Sequence, residues 1–520
     1  MTRSLRQSMA WIHGWLGMLA GWILFAMFLT GTASYFRPEI TRWMQPELPM
    51  HRTSGAQATQ AAVAELARSN GGDQQWFIML PDDRTAITRV FTIPQPDATA
   101  KPAPGKRRKR GGELELDSAT GKPIHARETR GGEHFYRFHF QLQLPHPWGR
   151  WLAGVCGMFM LAAIVSGVVT HKRIFADFFT LRWNKGQRSW LDTHNVSAVL
   201  ALPYHAVITY TGLMTLVLMY LPYPIAINYK QPLDFGREAY GLPVDAEASK
   251  RPAPLVPIAP LVRDAEARLK APVSRVVVRH PGDAAATVAI SAATVSALNA
   301  RTGTAVYSGA TGALLQSPSN SGAAVSTVGV MLGLHIAQYA APGLRWVLFL
   351  LGLTGAAMVG TGLLLWTAAR RRPGATPFFG LRLVERLNIA TIAGLPIGMG
   401  AFLLANRLIP AAATGRADAE VATMFYAWGA AALLQLLRPA RQAWAALFAI
   451  GALVFVAIPV ANALTTSRGL LASWQAGDWL FVGFDLAMLV TAVLLGAAAW
   501  RAGRPQAVRA TRRVKEMVHV

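Results

Sequence analysis

The sequence predicts a polytopic α-helical membrane protein of about eight spans, with two α/β domains outside the membrane and an internal duplication. Three observations predict it. The 520 residues are 52% hydrophobic and only 15% charged, too apolar for an ordinary soluble enzyme. Eight segments approach or exceed the length that crosses a hydrocarbon core of about 30 Å. Two of them share a pattern: His13 precedes Thr30–Gly31 by 17 residues, and His194 precedes Thr211–Gly212 by 17. These segments, HGWLGMLAGWILFAMFLTG and HNVSAVLALPYHAVITYTG, start 181 residues apart.

The spans are 11–36, 148–170, 194–220, 344–367, 386–405, 422–437, 443–463 and 479–500, the sixth being the shortest. Only Arg3 and Arg6 precede the first, and no small-residue cleavage site follows it, so it is expected to stay as an anchor. Basic residues crowd the loop 171–193, ARRRPG at 369–374, RPAR at 438–441 and the tail 501–520. The positive-inside rule makes these segments and both termini cytoplasmic, in a bacterial inner membrane. The net charge of +24 then reflects topology and anionic lipid headgroups, and no nucleic-acid partner is expected. KRRKR at 106–110 reads as a solvated insert in an outer loop.

Two polar stretches, 37–147 and 221–340, separate the first four spans. Each contains an amphipathic helix, 62–70 and 259–270, followed by strand-like runs at 76–80 and 86–93 in one and at 274–280 and 286–291 in the other. DSATGKP at 117–123 and NARTGTA at 299–305 read as matching hairpin turns, 182 residues apart. The second and fourth spans repeat too, with 16 residues from Trp151 to Gly167 and from Trp346 to Gly362. Arg150 and Arg345 precede those tryptophans, as expected at a membrane interface. His139 lies eleven residues before Arg150, and His335 lies ten before Arg345. The repeated unit is helix, outer α/β domain, helix, with a histidine near each face of the membrane.

Histidine is costly in lipid and marks a proton relay or a metal ligand. Under the duplication His13 and His194 are related by a pseudo-twofold axis near the cytoplasmic face, and two such imidazoles suit the axial positions of one haem. His139 and His335 are the corresponding outer pair, with His146 in reserve because the spacings to Arg150 and Arg345 differ by one. His205 lies eleven residues past His194, where ligand or relay stands against a packing role, and His171 at the cytoplasmic rim suits headgroups or substitution for His13. His51, His125, His134, His280 and His519 fall in polar segments and read as surface histidines. The Thr–Gly and Ser–Gly pairs either let helices approach or make room for a flat macrocycle. The one cysteine, Cys156, excludes a disulfide framework and a thiolate metal site.

The duplicated His-x17-Gly helix, the D/N-x-x-T-G outer domains and the His entry to the closing helix resemble the PepSY-associated transmembrane family over about 11–370. Within it the chain is similar to iron-regulated membrane proteins linked to siderophore uptake. The resemblance implies two periplasmic PepSY-like domains, two haem b groups, and reduction of a ferric siderophore at the outer face. A haem-free module that binds a protein or peptide through its outer domains is the alternative, and a transporter is weaker because no broken helices are evident. Residues 386–500 contain no histidine and read as an accessory four-helix bundle. No GxGxxG follows a strand, so electrons are expected from a separate donor, a quinol or a reductase.

Overall fold

The computed structural model describes residues 4–49, 53–95, 113–171, 180–240, 247–294, 297–301, 303–318, 322–372, 374 and 376–504. KRRKR, His51, His519 and most of the basic tail lie outside the described residues. The chain divides into two compact units: 1–373 with 410–418, and 374–409 with 419–520.

The first unit begins with α1 (Leu5–Ser34), α2 (Arg37–Met44) and α3 (Gly55–Ser69), then β1 (Gln75–Met79), β2 (Ile87–Ile93) and β3 (Glu113–Asp117). It continues through α4 (Gly131–Gln141), the long α5 (Trp148–Thr170), α6 (Gln187–Leu200), α7 (Leu202–Thr215) and three short helices, α8 (Val217–Tyr220), α9 (Tyr223–Asn228) and α10 (Pro232–Tyr240). Then come α11 (Ile258–Leu269), β4 (Val273–Arg279), β5 (Thr287–Ala292), β6 (Thr304–Ser308), β7 (Leu314–Gln316), α12 (Ala323–Ile336) and α13 (Pro342–Arg370). Helices α1, α5 and α13 are long and apolar enough to cross a membrane, and α6 with α7 makes a further span bent by 69° at Ala201. The span expected at 194–220 is therefore not one continuous helix. Pro203 enters the first turn of α7, where its missing N–H interrupts the helical ladder.

The two polar stretches do not form separate domains. Their strands join in one seven-stranded antiparallel sheet, ordered β3-β2-β1-β4-β5-β6-β7. The seam is β1 against β4, from Gln75 opposite Arg279 to Met79 opposite Arg275. Each half alone would expose the edge of its first strand, and pairing the two removes both edges. Helices α3 and α11 cover one face, and a single core runs across the seam through Leu66, Trp76, Ile78, Val90, Val262, Val276 and Ile290.

The match between DSATG and NARTG is also corrected. The hairpin after β3 has Asp117 Oδ1 accepting from the N–H of Thr120 at 2.9 Å, and Gly121 at φ +71°. Its structural twin follows β6, at SGATG 308–312, where Ser308 Oγ accepts from Thr311 N at 3.2 Å and Gly312 has φ +77°. The NARTG segment instead packs on α12: a Cβ on Gly329 would overlap Asn299, and one on Gly333 would overlap the carbonyl of Leu298.

An ion cluster ties the sheet to the helices. Glu39 accepts from Arg84, in the β1–β2 turn, at 2.6 and 2.8 Å and from Arg345 of α13 at 2.8 Å. Arg345, expected as an interfacial partner of Trp346, is therefore buried in an ion pair. The tryptophan itself is half-exposed, as is Trp151, and Trp148 is largely exposed.

The second unit consists of α14 (Phe379–Ile392) and α15 (Gly394–Leu408), which together pass as one span, α16 (Arg416–Leu434) from residue 419 on, α17 (Ala440–Thr465), the short α18 (Leu470–Gln475) and α19 (Trp479–Gly503). The whole chain thus holds seven spanning helices, or eight with the bent pair, among the described residues.

Both hairpin glycines sit at positive φ, but their surroundings differ. A Cβ on Gly121 would lie 2.4 Å from the carbonyl oxygen of Ala61, whereas one on Gly312 meets nothing closer than 3.7 Å. Gly121→Ala should therefore lower the melting temperature of the purified protein clearly more than Gly312→Ala, whose cost of about 1 kcal/mol comes from the backbone alone. Equal shifts would contradict the packing of α3 on this turn.

Candidate functional site: two pairs of histidines

The four histidines singled out by the duplication meet as two pairs inside the helices of the first unit. The rings of His13 (α1) and His194 (α6) lie 6.1 Å apart between centroids, and those of His139 (α4) and His335 (α12) lie 6.0 Å apart. The second pair forms despite the one-residue difference in spacing, which is absorbed in the connections leading into α5 and α13. Both pairs draw one ring from each half of the duplication.

Each ring is held in the same way. The Nδ1 of His13 lies 2.8 Å from the carbonyl of Ala163, that of His194 2.8 Å from Met358, that of His139 2.7 Å from Met27, and that of His335 3.0 Å from Ile208. A carbonyl can only accept, so every Nδ1 carries the proton and every Nε2 keeps its lone pair. Among the described residues none hydrogen-bonds those four Nε2 atoms.

The four carbonyls are not arbitrary. Each stands four residues before the glycine of a Thr–Gly or Ser–Gly pair: Ala163 before Gly167, Met358 before Gly362, Met27 before Gly31 and Ile208 before Gly212. A Cβ on those glycines would come within 3.1, 3.1, 2.6 and 2.8 Å of the rings of His13, His194, His139 and His335. The preceding hydroxyls of Ser166, Thr361, Thr30 and Thr211 bond back into their own helices at 2.6–2.7 Å. Glycine removes the side chain that would push the imidazole off the helix, and the hydroxyl bonds into its own backbone, that of Thr211 also lying 3.3 Å from His335 Nδ1. The small-residue pairs thus serve the histidines of neighbouring helices.

Two levels result. His13 and the Met27 carbonyl that anchors His139 are fourteen residues apart on α1, about 21 Å at 1.5 Å per residue. The His139–His335 pair stands on the side of the sheet, and the His13–His194 pair on the far side. His205 lies between them, fully buried and unpaired with any other histidine. His146 is exposed in the α4–α5 connection, outside both pairs, and His171 is 3.1 Å from Asn195. His134, expected at the surface, is buried against Phe138.

Two imidazoles cannot by themselves hold a bare metal ion, which takes four or more donors. No group of three or more metal-binding side chains occurs among the described residues. A planar group that supplies four donors of its own needs only two trans imidazoles. With metal–nitrogen bonds of about 2 Å, two imidazoles whose centroids stand about 6 Å apart would leave room for one such metal between their Nε2 atoms. Both pairs meet that spacing, with free Nε2 atoms and a cradle kept clear of Cβ atoms.

In the second unit the structure reveals a polar cluster that sequence inspection passed over. Asn406 Nδ2 donates to Glu420 at 2.7 Å, Arg407 Nε donates to Asn462 at 2.9 Å, and Asn462 Nδ2 donates to Asp485 at 3.0 Å. All five residues are buried, on four different helices. Each is a single polar residue in an apolar run, so only their convergence signals the network.

The comparisons fit this architecture. An uncharacterized protein of Pseudomonas aeruginosa, PA4219, is 28% identical over 392 residues, covering 70% of this chain and 94% of its own length. Residues 10–369, which contain both histidine pairs and the whole sheet, match the family described as the PepSY-associated TM region, and the chain belongs to that family.

Proposed function

We propose that the protein binds two haem b groups, one between His13 and His194 and one between His139 and His335, and reduces a ferric chelate on the side of the sheet. The observation that carries this reading is the fourfold arrangement of a protonated Nδ1 on a carbonyl, a free Nε2 and a glycine cradle, with the two rings of each pair about 6 Å apart and so able to hold one metal between them. Bound there, each haem would supply a one-electron iron couple. The backbone carbonyls fix the tautomer and the plane of each ligand and raise its basicity. Helices α5 and α13 supply the carbonyls that seat the far-side pair. Two levels about 21 Å apart along α1 suit transfer across a hydrocarbon core of about 30 Å. The basic loops support a periplasmic sheet in an inner membrane. The likeness to siderophore-linked members supports a ferric siderophore as substrate, taking one electron and yielding Fe(II). The donor would be a membrane quinol or a partner reductase, because the chain has no flavin or nicotinamide motif of its own.

Purified protein should show a Soret band and about two haems per chain. His13→Ala and His194→Ala should each lose the same haem, and His139→Ala and His335→Ala the other. Gly31→Leu should lose the second haem with all four histidines intact, whereas Gly483→Leu, exposed on α19 and with nothing within 4 Å of its Cβ, should keep both. A colourless but folded protein would instead support the haem-free binding module.

His335→Ala should abolish reoxidation of the dithionite-reduced protein by a ferric siderophore in stopped-flow measurements while the far-side haem stays bound. Reoxidation at the unmutated rate would place the outlet elsewhere. A topology reporter inserted at Gly309 should read periplasmic, and a cytoplasmic signal there would end the proposed direction of transfer.

A further inference from the structure

Resting on the haem reading above, we propose that His205 is the proton acceptor that compensates an electron held between the two histidine pairs. It belongs to neither pair. It sits on α7 three residues before Ile208, whose carbonyl anchors His335, and its ring meets Phe28 of α1 edge-on at 6.0 Å. Phe28 follows Met27, the anchor of His139. On α13 its partner Thr354 precedes Met358, the anchor of His194, by four residues. His205 therefore lies between the two levels and against the helices that build both.

Its hydrogen bonds define which nitrogen is basic. Thr354 Oγ1 lies 3.3 Å from His205 Nε2, and the same hydroxyl donates to Leu351 O at 2.7 Å. With its proton committed there, Thr354 can only accept, so Nε2 carries the hydrogen of the neutral ring. Nδ1 then carries the lone pair; it is buried and makes no hydrogen bond, while the backbone carbonyls of Leu351 and Ala198 approach the ring and could accept from it once protonated. The fold does not require this group: the position 181 residues earlier, its twin under the duplication, is the buried aliphatic Leu24. One half keeps a hydrocarbon where the other keeps a buried base.

The surroundings leave it the available acceptor. On the helices packed about it, Arg6, Arg188, Asp192 and Arg370 belong to the far-side ends and Arg150 and Arg345 to the sheet-side ends. Nearer to it are Tyr204 and Tyr210 of α7, Cys156 of α5 and the four paired histidines, whose Nδ1 atoms already hold protons. Tyr204 is engaged with Tyr35, hydroxyl to hydroxyl, at 2.9 Å. An added electron lowers the local charge by one in a medium of low dielectric, where it is held more favourably if a positive charge arises close by. The step balances as one electron from the donor and one proton from hydronium in the bulk: an O–H bond of hydronium breaks to leave water, an N–H bond forms at Nδ1, and the imidazole becomes imidazolium.

The test is potentiometric, on full-length protein in lipid nanodiscs, following both haems by absorbance at pH 6, 7 and 8. In the unmutated protein the midpoint potential of at least one haem should fall as pH rises. His205→Leu, which restores the residue of the other half, should flatten that dependence with both haems still bound. His205→Gln, which keeps a donor for Thr354 but cannot hold the extra proton, should do the same and serves if the leucine variant does not fold. Potentials that do not vary with pH in the unmutated protein, or an unchanged dependence in either variant, would overturn the assignment. Absence of haem from the unmutated protein would instead remove the reading on which it rests.

Discussion

The arrangement on which the rest of the first unit depends is the seating of an imidazole against a helix backbone at a glycine. A helix carbonyl is normally screened by the side chains around it, and a ring approaches one closely only where a side chain is missing. At Gly31, Gly167, Gly212 and Gly362 it is missing, and the carbonyl four residues earlier receives the Nδ1 proton. Each such contact locks two helices together and orients a ring. Because α1 supplies both His13 and the cradle for His139, it fixes the two levels against each other.

The duplication gives this constraint its economy. Each level takes one histidine from each half, so neither half could form a pair alone. The sheet follows the same logic, because β1 and β4 pair across the seam and neither set of strands is complete without the other. The cluster of Glu39 with Arg84 and Arg345 then couples sheet to helices, and α2 and α13 meet beside the His139–His335 pair. Such a pair of cations on one carboxylate, partly removed from water, is sensitive to loss of its centre, since two guanidinium groups would be left unpaired.

Departures from symmetry are where the two halves have diverged in chemistry. The third span is broken at Ala201 and the first is continuous, because Pro203 has no counterpart in α1. His205 replaces an aliphatic residue just beyond that break. In the second unit, Asn406, Arg407, Glu420, Asn462 and Asp485 satisfy one another in an apolar bundle, where an unpaired member would be costly.

Period and spacing along the chain were enough to mark the spans, the helices and strands of the polar stretches, and the four histidines with their glycines. These signals are local: hydropathy reports length in lipid, and a repeated interval between His and Gly survives whatever the chain does in between. The merger of two domains into one sheet and the true partner of the DSATG turn were not legible there. Each depends on which surfaces meet. Strand edges pair according to availability in space, and a one-residue change in a connection is absorbed without moving the helix that carries the ring. The meaning of the small-residue pairs was likewise undecided in the sequence. Gly31 is close to His139 only because α4 folds back on α1, a contact between residues 108 positions apart. The sequence by itself determined which side chains are available to the site, and the tertiary structure alone decided which of them face one another and which nitrogen of each ring is left free.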